Sequence, residues 1–200
     1  EAEGKKATAI INGGHTNFVY VAHGEEVLVN KQAASSNEAT SDDVELTLRK
    51  VYDFAMETPI EELKFILETR NLNKKAAERS FQGNYGHQLG KTLNSKKNEN
   101  LMMGDNTFTH ILSYTSAACD ARMAGAMIPV MSNSGSGNQG ITATLPVVVY
   151  AEDNHKSEEE LIRALAMSHL TVIYIKQSLG RLSALCGCVV AATGSSCGIT

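Results

Sequence analysis

The spacing of apolar residues changes along the chain, from every second position near the start to every third or fourth position later. Residues 7–31 alternate between apolar and polar side chains, as half-buried strands do. The strand candidates are TAIING, FVYVAH and, after a turn at Gly24-Glu25, EVLVNK. We predict a small antiparallel sheet. Because two or three strands cannot bury a core alone, we expect further strands upstream to complete it.

After Gln32 the pattern becomes helical. The stretch AASSNEATSDD predicts a linker, and Val44, Leu48, Val51 and Ala55 then recur at helical spacing from a start at Thr40 or Ser41. The fold class predicted from this change is α+β, a small antiparallel β segment followed by a mainly α-helical domain. We expect residues 1–32 to end a small α+β domain and residues 41–200 to form the helical domain.

Two capping boxes mark further helix starts. Thr58-x-x-Glu61, with Pro59 at the first helical position, predicts one helix, and Ser157-x-x-Glu160 predicts another. The second helix is apolar almost all round, which predicts a central, buried position.

Two more predicted helices are rich in small residues. In KKAAERSFQGNYGHQLGKTL, Gly83, Gly86 and Gly90 fall on one stripe, which indicates that something packs close to the backbone there. His87 lies on a neighbouring stripe. The sequence favours neither of its two roles, a catalytic base or an ordinary histidine. The helix in THILSYTSAACDARMAGAMIP is expected to end at Pro129. Of its Asp120 and Arg122, one could orient the following loop, but an ordinary buried ion pair is the default.

The loop MSNSGSGNQGITATLP, residues 131–146, has more hydrogen-bonding capacity than a plain connector needs. If a helix starts near Ile141, the glycines expose free backbone N–H groups at its positive end, where a carboxylate or phosphate would fit. A ligand-free turn is the alternative, and from the residues alone the two are about even. The pattern is neither a Walker loop nor a Rossmann fingerprint.

Composition narrows the function classes. The chain has 200 residues, 42% of them hydrophobic, and a net charge of −4, which gives no electrostatic case for nucleic acid or an anionic membrane. No apolar run reaches the length of a membrane span. Nothing marks the chain as secreted, so we expect a reduced, cytoplasmic setting. There Cys119, Cys186, Cys188 and Cys197 are either buried thiols or metal ligands.

Several stretches resemble a known family. TSAACDARMAGAMIPVMSNSGSGNQGITATLPVVVYAE, the following LSALCGC, GGHTN at 13–17 and YGHQLG around His87 are similar to the L-cysteine desulfidase family, which is related to the α-chain of iron–sulfur L-serine dehydratases. The resemblance runs over essentially the whole chain. Both ends stop inside the family's sequence, so we expect this chain to be the central piece of a longer protein.

The resemblance implies a lyase that carries out α,β-elimination on a small L-amino acid. L-Cysteine would give pyruvate, ammonia and sulfide, and L-serine would give pyruvate and ammonia; the sequence does not choose between them. The implied cofactor is a 4Fe-4S cluster held by three cysteines. The family's ligand position falls on Cys186, with Cys188 as second choice. The other two ligand segments are not in these residues, so we expect no cluster in this chain alone.

The candidate base is His87. The loop residues expected to bind the substrate carboxylate are Asn133, Ser134, Gly135, Ser136, Gly137 and Asn138. The alternative function is a non-catalytic helical module that binds a small amino acid without metal. A pyridoxal phosphate enzyme is a poor third, because no lysine has a convincing cofactor setting. A small L-amino acid is the only partner expected, and a homodimer is left open as the assembly.

Overall fold

The computed structural model describes residues 2–12, 16–31, 44–95, 104–180 and 185–200. The first part is an antiparallel sheet of three strands in the order β1-β2-β3: β1 Ala7–Ile11, β2 Phe18–His23 and β3 Glu26–Asn30. The register of the strands shifts between Ile10 and Ile11 and again between Val21 and Ala22. The antiparallel segment predicted from the alternation is therefore confirmed, whereas the strands expected upstream stay a prediction.

The rest of the described chain is helical, which confirms the α+β class. One 3₁₀ turn, Lys64–Ile66, connects the second and third helices. The α-helices in chain order are α1 Leu48–Glu57, α2 Ile60–Leu63, α3 Leu67–Gln82, α4 Leu89–Leu93, α5 Thr107–Met123, α6 Gly137–Asp153, α7 Glu158–Leu179 and α8 Gly187–Ile199.

The capping boxes had different outcomes. At the start of α7, Ser157 Oγ accepts from Glu160 N at 3.2 Å, and Ser157 N donates to Glu160 Oε2 at 2.8 Å, so this box is confirmed. The box at Thr58 was wrong, because Thr58 ends α1 and α2 begins without a side-chain cap. The Thr58 carbonyl accepts from Arg163 of α7 at 3.2 Å. The carbonyls of Ala55 and Met56 accept from the same guanidinium at 2.9 and 2.8 Å.

The first helix also begins later than predicted. Thr47, not Thr40 or Ser41, is its N-cap, and its side chain accepts from Lys50 N. Thr40 and Ser41 lie outside the described residues.

The helix predicted through residues 74–93 is broken in the structure. α3 stops at Gln82, and the turn before α4 uses left-handed backbone at Gly86, with φ of 52°, and at Gln88, with φ of 55°. The close packing predicted for the glycines is nevertheless present, because a β-carbon on Gly90 would overlap the backbone of Ala117 in α5. Packing against α5 therefore makes α4 a separate helix that does not continue the direction of α3.

The end of α5 was also predicted too late. The helix ends at Met123, six residues before Pro129. Gly125, which follows, has left-handed backbone with φ of 77°. The segment between Gly125 and the next turn is non-helical. It returns the chain towards the start of α6.

Two helices form the centre of the helical part. α6 and α7 carry most of the fully buried large side chains, including Leu145, Val148 and Leu165. The central position predicted for the helix after Ser157 is thus confirmed. α8 lies very close to α7, since a β-carbon on Gly194 would be 2.6 Å from the carbonyl oxygen of Ser168. Within the described parts of the chain, no helix is both long and apolar enough to cross a membrane.

His110 of α5 connects two carboxylates from different parts of the fold. Its Nδ1 lies 2.8 Å from Asp153 at the end of α6, and its Nε2 lies 2.6 Å from Asp105 ahead of α5. Both acids favour the imidazolium, with the hydrogen bond to Asp153 the larger cause, so the pKa of His110 is raised above 6.5.

This arrangement predicts a pH-dependent stability. A raised folded-state pKa contributes stability that is fully present below the unfolded-state pKa of about 6.5 and is lost as the pH rises through the higher folded value. The denaturant midpoint of the wild type should therefore fall more than that of His110→Gln between about pH 6 and 8.5. Parallel pH profiles for the two proteins would contradict this.

Candidate functional site

The segment that carries the predicted ligand-binding residues is a tight turn followed at once by a helix. Asn133 and Ser136 exchange backbone hydrogen bonds of 3.1 and 3.0 Å, with left-handed φ values of 48° at Ser134 and 82° at Gly135. Such a turn favours glycine, which explains Gly135. Ser136 is the N-cap of α6, and its hydroxyl accepts from Gln139 N at 3.4 Å. The helix thus starts at Gly137 rather than at the expected Ile141.

Asn73 of α3 holds both sides of this turn. Its Oδ1 accepts from Met131 N at 2.9 Å, and its Nδ2 donates to the carbonyl of Gly140 at 3.3 Å and to Thr144 Oγ1 at 3.0 Å. The side chain is fully buried. One amide from another helix therefore satisfies three polar groups around the turn, and the sequence reasoning did not find it. Its position on the buried face of α3, beside Ala76 and Ala77, was the available signal.

His169 of α7 continues the same network. Asn133 Nδ2 lies 3.0 Å from His169 Nδ1, and Thr144 Oγ1 lies 3.0 Å from His169 Nε2. Burial lowers the pKa of His169 to about 4, so the ring is neutral at physiological pH. Asn133 then donates to Nδ1, the Nε2–H donates to Thr144, and the Thr144 hydroxyl donates to the carbonyl of Gly140 at 2.7 Å. His169 is thus a structural hydrogen-bonding residue that holds the turn against α7.

These contacts make the turn rigid and decide which predicted ligand groups remain available. The amide of Asn133 is engaged with His169, and the Ser134 hydroxyl donates to Asn133 Oδ1 at 2.8 Å. The backbone N–H groups of Gly137 and Asn138 lie in the first turn of α6, where no preceding helical carbonyl can accept from them. The structure thus provides a preorganised, electropositive helix end at the predicted place.

Arg122, at the end of α5, packs over that helix end. A β-carbon on Gly137 would lie 2.9 Å from Arg122 Cδ and 3.0 Å from its Cζ, so glycine leaves room for the guanidinium. Arg122 Nη1 donates to Asn138 Oδ1 at 3.1 Å. Asp120 does not pair with it; its carboxylate accepts instead from Gly90 N at 3.2 Å. Neither residue forms the ordinary ion pair expected by default within the described part of the chain, and Arg122 contacts the segment through Asn138 instead.

The first turn of α8 meets the first turn of α6 through Gln139. A β-carbon on Gly187 would lie 2.8 Å from Gln139 Oε1, so the amide lies directly against this glycine. Gln139 is only 3% exposed, and its Nε2 has no hydrogen-bond partner among the described residues. This contact brings the predicted substrate-binding turn and the predicted metal ligand Cys186 to one place. We call the first turns of α6 (137–139) and α8 (186–188), with Arg122, the two-helix site.

The cysteines at this site differ in their electrostatics. Cys186 is exposed at the N-cap of α8, where the backbone N–H groups of Cys188 and Val189 lower the pKa of its thiol. Cys188 is also exposed, but the pKa of its thiol is raised, mainly by partial burial of the sulfur and then by Cys186. Burial raises the pKa of Cys119 in α5 to about 11, with a smaller contribution from Cys188. Cys186 is therefore the thiol best suited to ligate a metal as a thiolate.

The structure does not join His87 to this set by any hydrogen bond or ion pair among the described residues. His87 is exposed and lies in the turn between α3 and α4, not on a helix as predicted. Its role as a base stays a prediction. His15, in the GGHTN segment, lies outside the described residues.

A cavity of about 400 Å³ lies at the other ends of α6 and α8. Its lining includes Tyr150, Arg163 and Cys197, and none of the predicted site residues. Cys197 is partly buried there.

Comparison with known proteins identifies the class. The family model for the serine dehydratase alpha chain matches residues 21–200, and the chain therefore belongs to this family. This confirms the resemblance drawn from the loop and the LSALCGC segment. No solved structure matches the chain.

The similar curated proteins are bacterial UPF0597 proteins. The chain is 77% identical to one from Phocaeicola vulgatus and 77% identical to one from Bacteroides fragilis, over 200 residues that cover all of this chain and 46% of each relative. A UPF0597 protein from Shewanella halifaxensis is 43% identical over 198 residues, which are 97% of this chain and 45% of that protein. The chain thus spans about half the length of the relatives that it matches.

Proposed function

We propose that this chain is the central part of an iron–sulfur-dependent lyase, which removes the β-substituent from L-cysteine or L-serine to give pyruvate and ammonia. The observation that carries the proposal is the contact between Gln139 and Gly187, which puts Cys186 beside the preorganised first turn of α6. Membership of the serine dehydratase alpha chain family supports the reaction class.

The elimination needs three functions in one place. The carboxylate of the substrate must be held, a base must take the Cα proton, and a Lewis acid must bind the leaving thiol or hydroxyl group. The turn Ser134–Asn138 supplies the first function through backbone N–H groups at the positive end of α6, together with the polar side chains around it. His87 is our candidate for the second function, since the matching YGHQLG segment surrounds it.

The described residues account for one of the cysteine ligands that the cluster would need. Cys186 is exposed and its thiolate form is favoured, which suits it as one ligand of a 4Fe-4S cluster. Among the described residues, no group of three histidine, cysteine or acidic side chains is arranged to hold a metal, so the other thiolates would come from the longer protein. When bound, the cluster would supply the Lewis acid for the leaving group. Cys188 is the second choice for the ligand.

The direct test is anaerobic purification of the complete protein that contains this chain. We expect an iron–sulfur absorption band, pyruvate from L-cysteine or L-serine, and sulfide from L-cysteine. A protein that binds these amino acids but forms no pyruvate, with its iron content verified, would support the non-catalytic binding module instead.

The turn should contribute to substrate affinity. Asn138→Ala removes a side-chain amide that we propose to bind the substrate carboxylate, and Ser134→Ala removes a hydroxyl proposed for the same role, which Asn133 holds at 2.8 Å. A charge-assisted hydrogen bond contributes roughly 1.5–3 kcal/mol, so KM should rise about tenfold or more in Asn138→Ala. We expect a KM increase in Ser134→Ala as well. Unchanged kinetics in both variants, with cluster content intact, would mean that the segment is only a turn.

A further inference from the structure

The last helix has the composition of a buried helix but is buried on one side only. α8 contains no charged residue in its 13 positions. The central helix α6 is likewise uncharged from Gly137 to Ala151, and 12 of its 17 residues are buried. In α8 four residues are buried, namely Val190, Ala191, Gly194 and Ser195. A helix without charge on any side is typical of a protein interior, so α8 has an exposed side that its composition does not predict.

The buried side of α8 is fixed against α7 at two points, one helical turn apart. A β-carbon on Gly194 would lie 2.6 Å from the carbonyl oxygen of Ser168, and one on Gly198 would lie 2.5 Å from the carbonyl oxygen of Ala164. Backbone atoms form both contacts, so α8 cannot rotate without losing them. The side that points away from α7 is therefore determined by the packing of the two helices.

We call this exposed side of α8 the outer face; it consists of Val189, Ala192, Thr193 and Ser196. The spacing of three and four positions places these residues on one side of the helix. Val189 is 56% exposed, although valine is among the residues most often buried in proteins. Cys186 lies three positions before Val189, at the N-cap, and is exposed as well. An element that covers the outer face therefore also comes close to this cysteine.

Cys186 indicates which part of the protein covers the outer face. If it is one of three cysteine ligands, two more thiolates have to reach it. Among the described residues, no group of three histidine, cysteine or acidic side chains is arranged to hold a metal. This chain covers 46% of each of the two relatives that are 77% identical to it, so the longer protein has enough further residues to supply both a cover and the thiolates.

We propose that the outer face of α8 is the docking surface for the part of the complete protein that carries the other cluster cysteines. This inference rests on the proposed function. The docked segment is uncharged where it meets the outer face, because a charge placed against Val189 and Ala192 would be buried without a partner. Docking completes the apolar layer around α8 and brings the missing thiolates to Cys186. Retention of the cluster therefore depends on packing along the helix as well as on its ligands.

Photocross-linking tests the docking directly. The substitution Val189→p-benzoylphenylalanine is made in the complete protein, which is purified without oxygen, irradiated and mapped by mass spectrometry. We expect a cross-link within one polypeptide to a segment outside these 200 residues. Replacing the cysteine nearest to that segment by serine should lower the bound iron. A cross-link to a second copy, a cross-link confined to these residues, no cross-link, or unchanged iron in the serine variant would overturn the inference.

A charge on the outer face provides a second measurement. Thr193→Arg changes an exposed residue seven positions after Cys186, to which no ligand role is assigned. We expect the complete protein to lose most of its bound iron and to unfold at a lower denaturant concentration, because the docked segment would bury the new charge. Asn71→Arg is the matched control, an exposed position on α3, whose outer side is charged, and it should change neither quantity. Wild-type iron content and midpoint in Thr193→Arg would show that solvent covers the outer face.

These outcomes separate the inference from the proposed function. A protein that binds iron and forms pyruvate, but whose Val189 position cross-links to nothing beyond these residues, would overturn the inference and leave the lyase intact. A protein that gives the expected cross-link but neither binds iron nor forms pyruvate would overturn the lyase, and with it the assignment of the docked part as the source of ligands.

Discussion

Gly140→Ala should destabilise the protein by about 3 kcal/mol, even though alanine is the better helix former by about 1 kcal/mol. A β-carbon at this position would overlap the carbonyl oxygen of Met131 and lie 2.7 Å from the backbone carbon of Ser132. These atoms cannot move cheaply, because Met131 N is held by Asn73 and the Gly140 carbonyl accepts from both Asn73 and Thr144. The turn before α6 would be displaced as a whole.

Gly137→Ala is the matched control for this prediction. It is the same substitution three residues earlier in the same helix, but the three atoms nearest to the new β-carbon all belong to the flexible side chain of Arg122. The denaturant midpoint should therefore fall strongly in Gly140→Ala and remain near the wild type in Gly137→Ala. Equal midpoints for the two variants would show that the turn does not pack against α6 as described.

Cys186→Ser in the complete protein should abolish pyruvate formation and lower the bound iron. The reason is that the first N–H groups of α8 favour the thiolate of Cys186, which is exposed, and that serine is a poor ligand for iron. Iron content, acid-labile sulfide and turnover are measured on protein purified without oxygen. The expected loss of turnover exceeds that of any other substitution proposed for the site.

Cys188→Ser is the control, two residues along the same helix. Its thiol has a raised pKa, chiefly from burial, which makes it the weaker ligand. We expect this variant to keep its iron and most of its turnover. If Cys188→Ser loses iron and Cys186→Ser keeps it, the ligand has been assigned to the wrong cysteine, and if neither loses iron, the cluster ligands lie outside this segment.

The sequence predicted those features that depend on neighbours a few residues apart. The alternation in FVYVAH and EVLVNK is confirmed as antiparallel strands, and the Ser157-x-x-Glu160 box is confirmed at the start of α7. The even apolar surface of that helix correctly predicted its central position. The class of protein also followed from the sequence, because the loop and the LSALCGC segment match the serine dehydratase alpha chain family.

The errors occurred where distant contacts override local preference. Helical spacing through Gly83, Gly86 and Gly90 predicted one helix, but the fit of Gly90 against Ala117 of α5 gives α4 a separate direction. The Thr58 capping box fails because the preceding helix ends there instead, with its last carbonyls accepting from Arg163, more than 100 positions away. In both contacts, the second partner lies too far along the chain to be seen in a short stretch of sequence.

The sequence by itself determined the α+β class, the family and the place of the turn that we propose as the ligand site, because periodicity, capping and motif spacing are properties of short segments. Only the tertiary structure decided how that turn is held and what lies beside it. Asn73 reaches the turn from 67 positions before Gly140, and His169 reaches Asn133 from 36 positions after it. The meeting of Gln139 with Gly187 likewise depends on how α6 and α8 pack, which the spacing of residues along the chain does not encode.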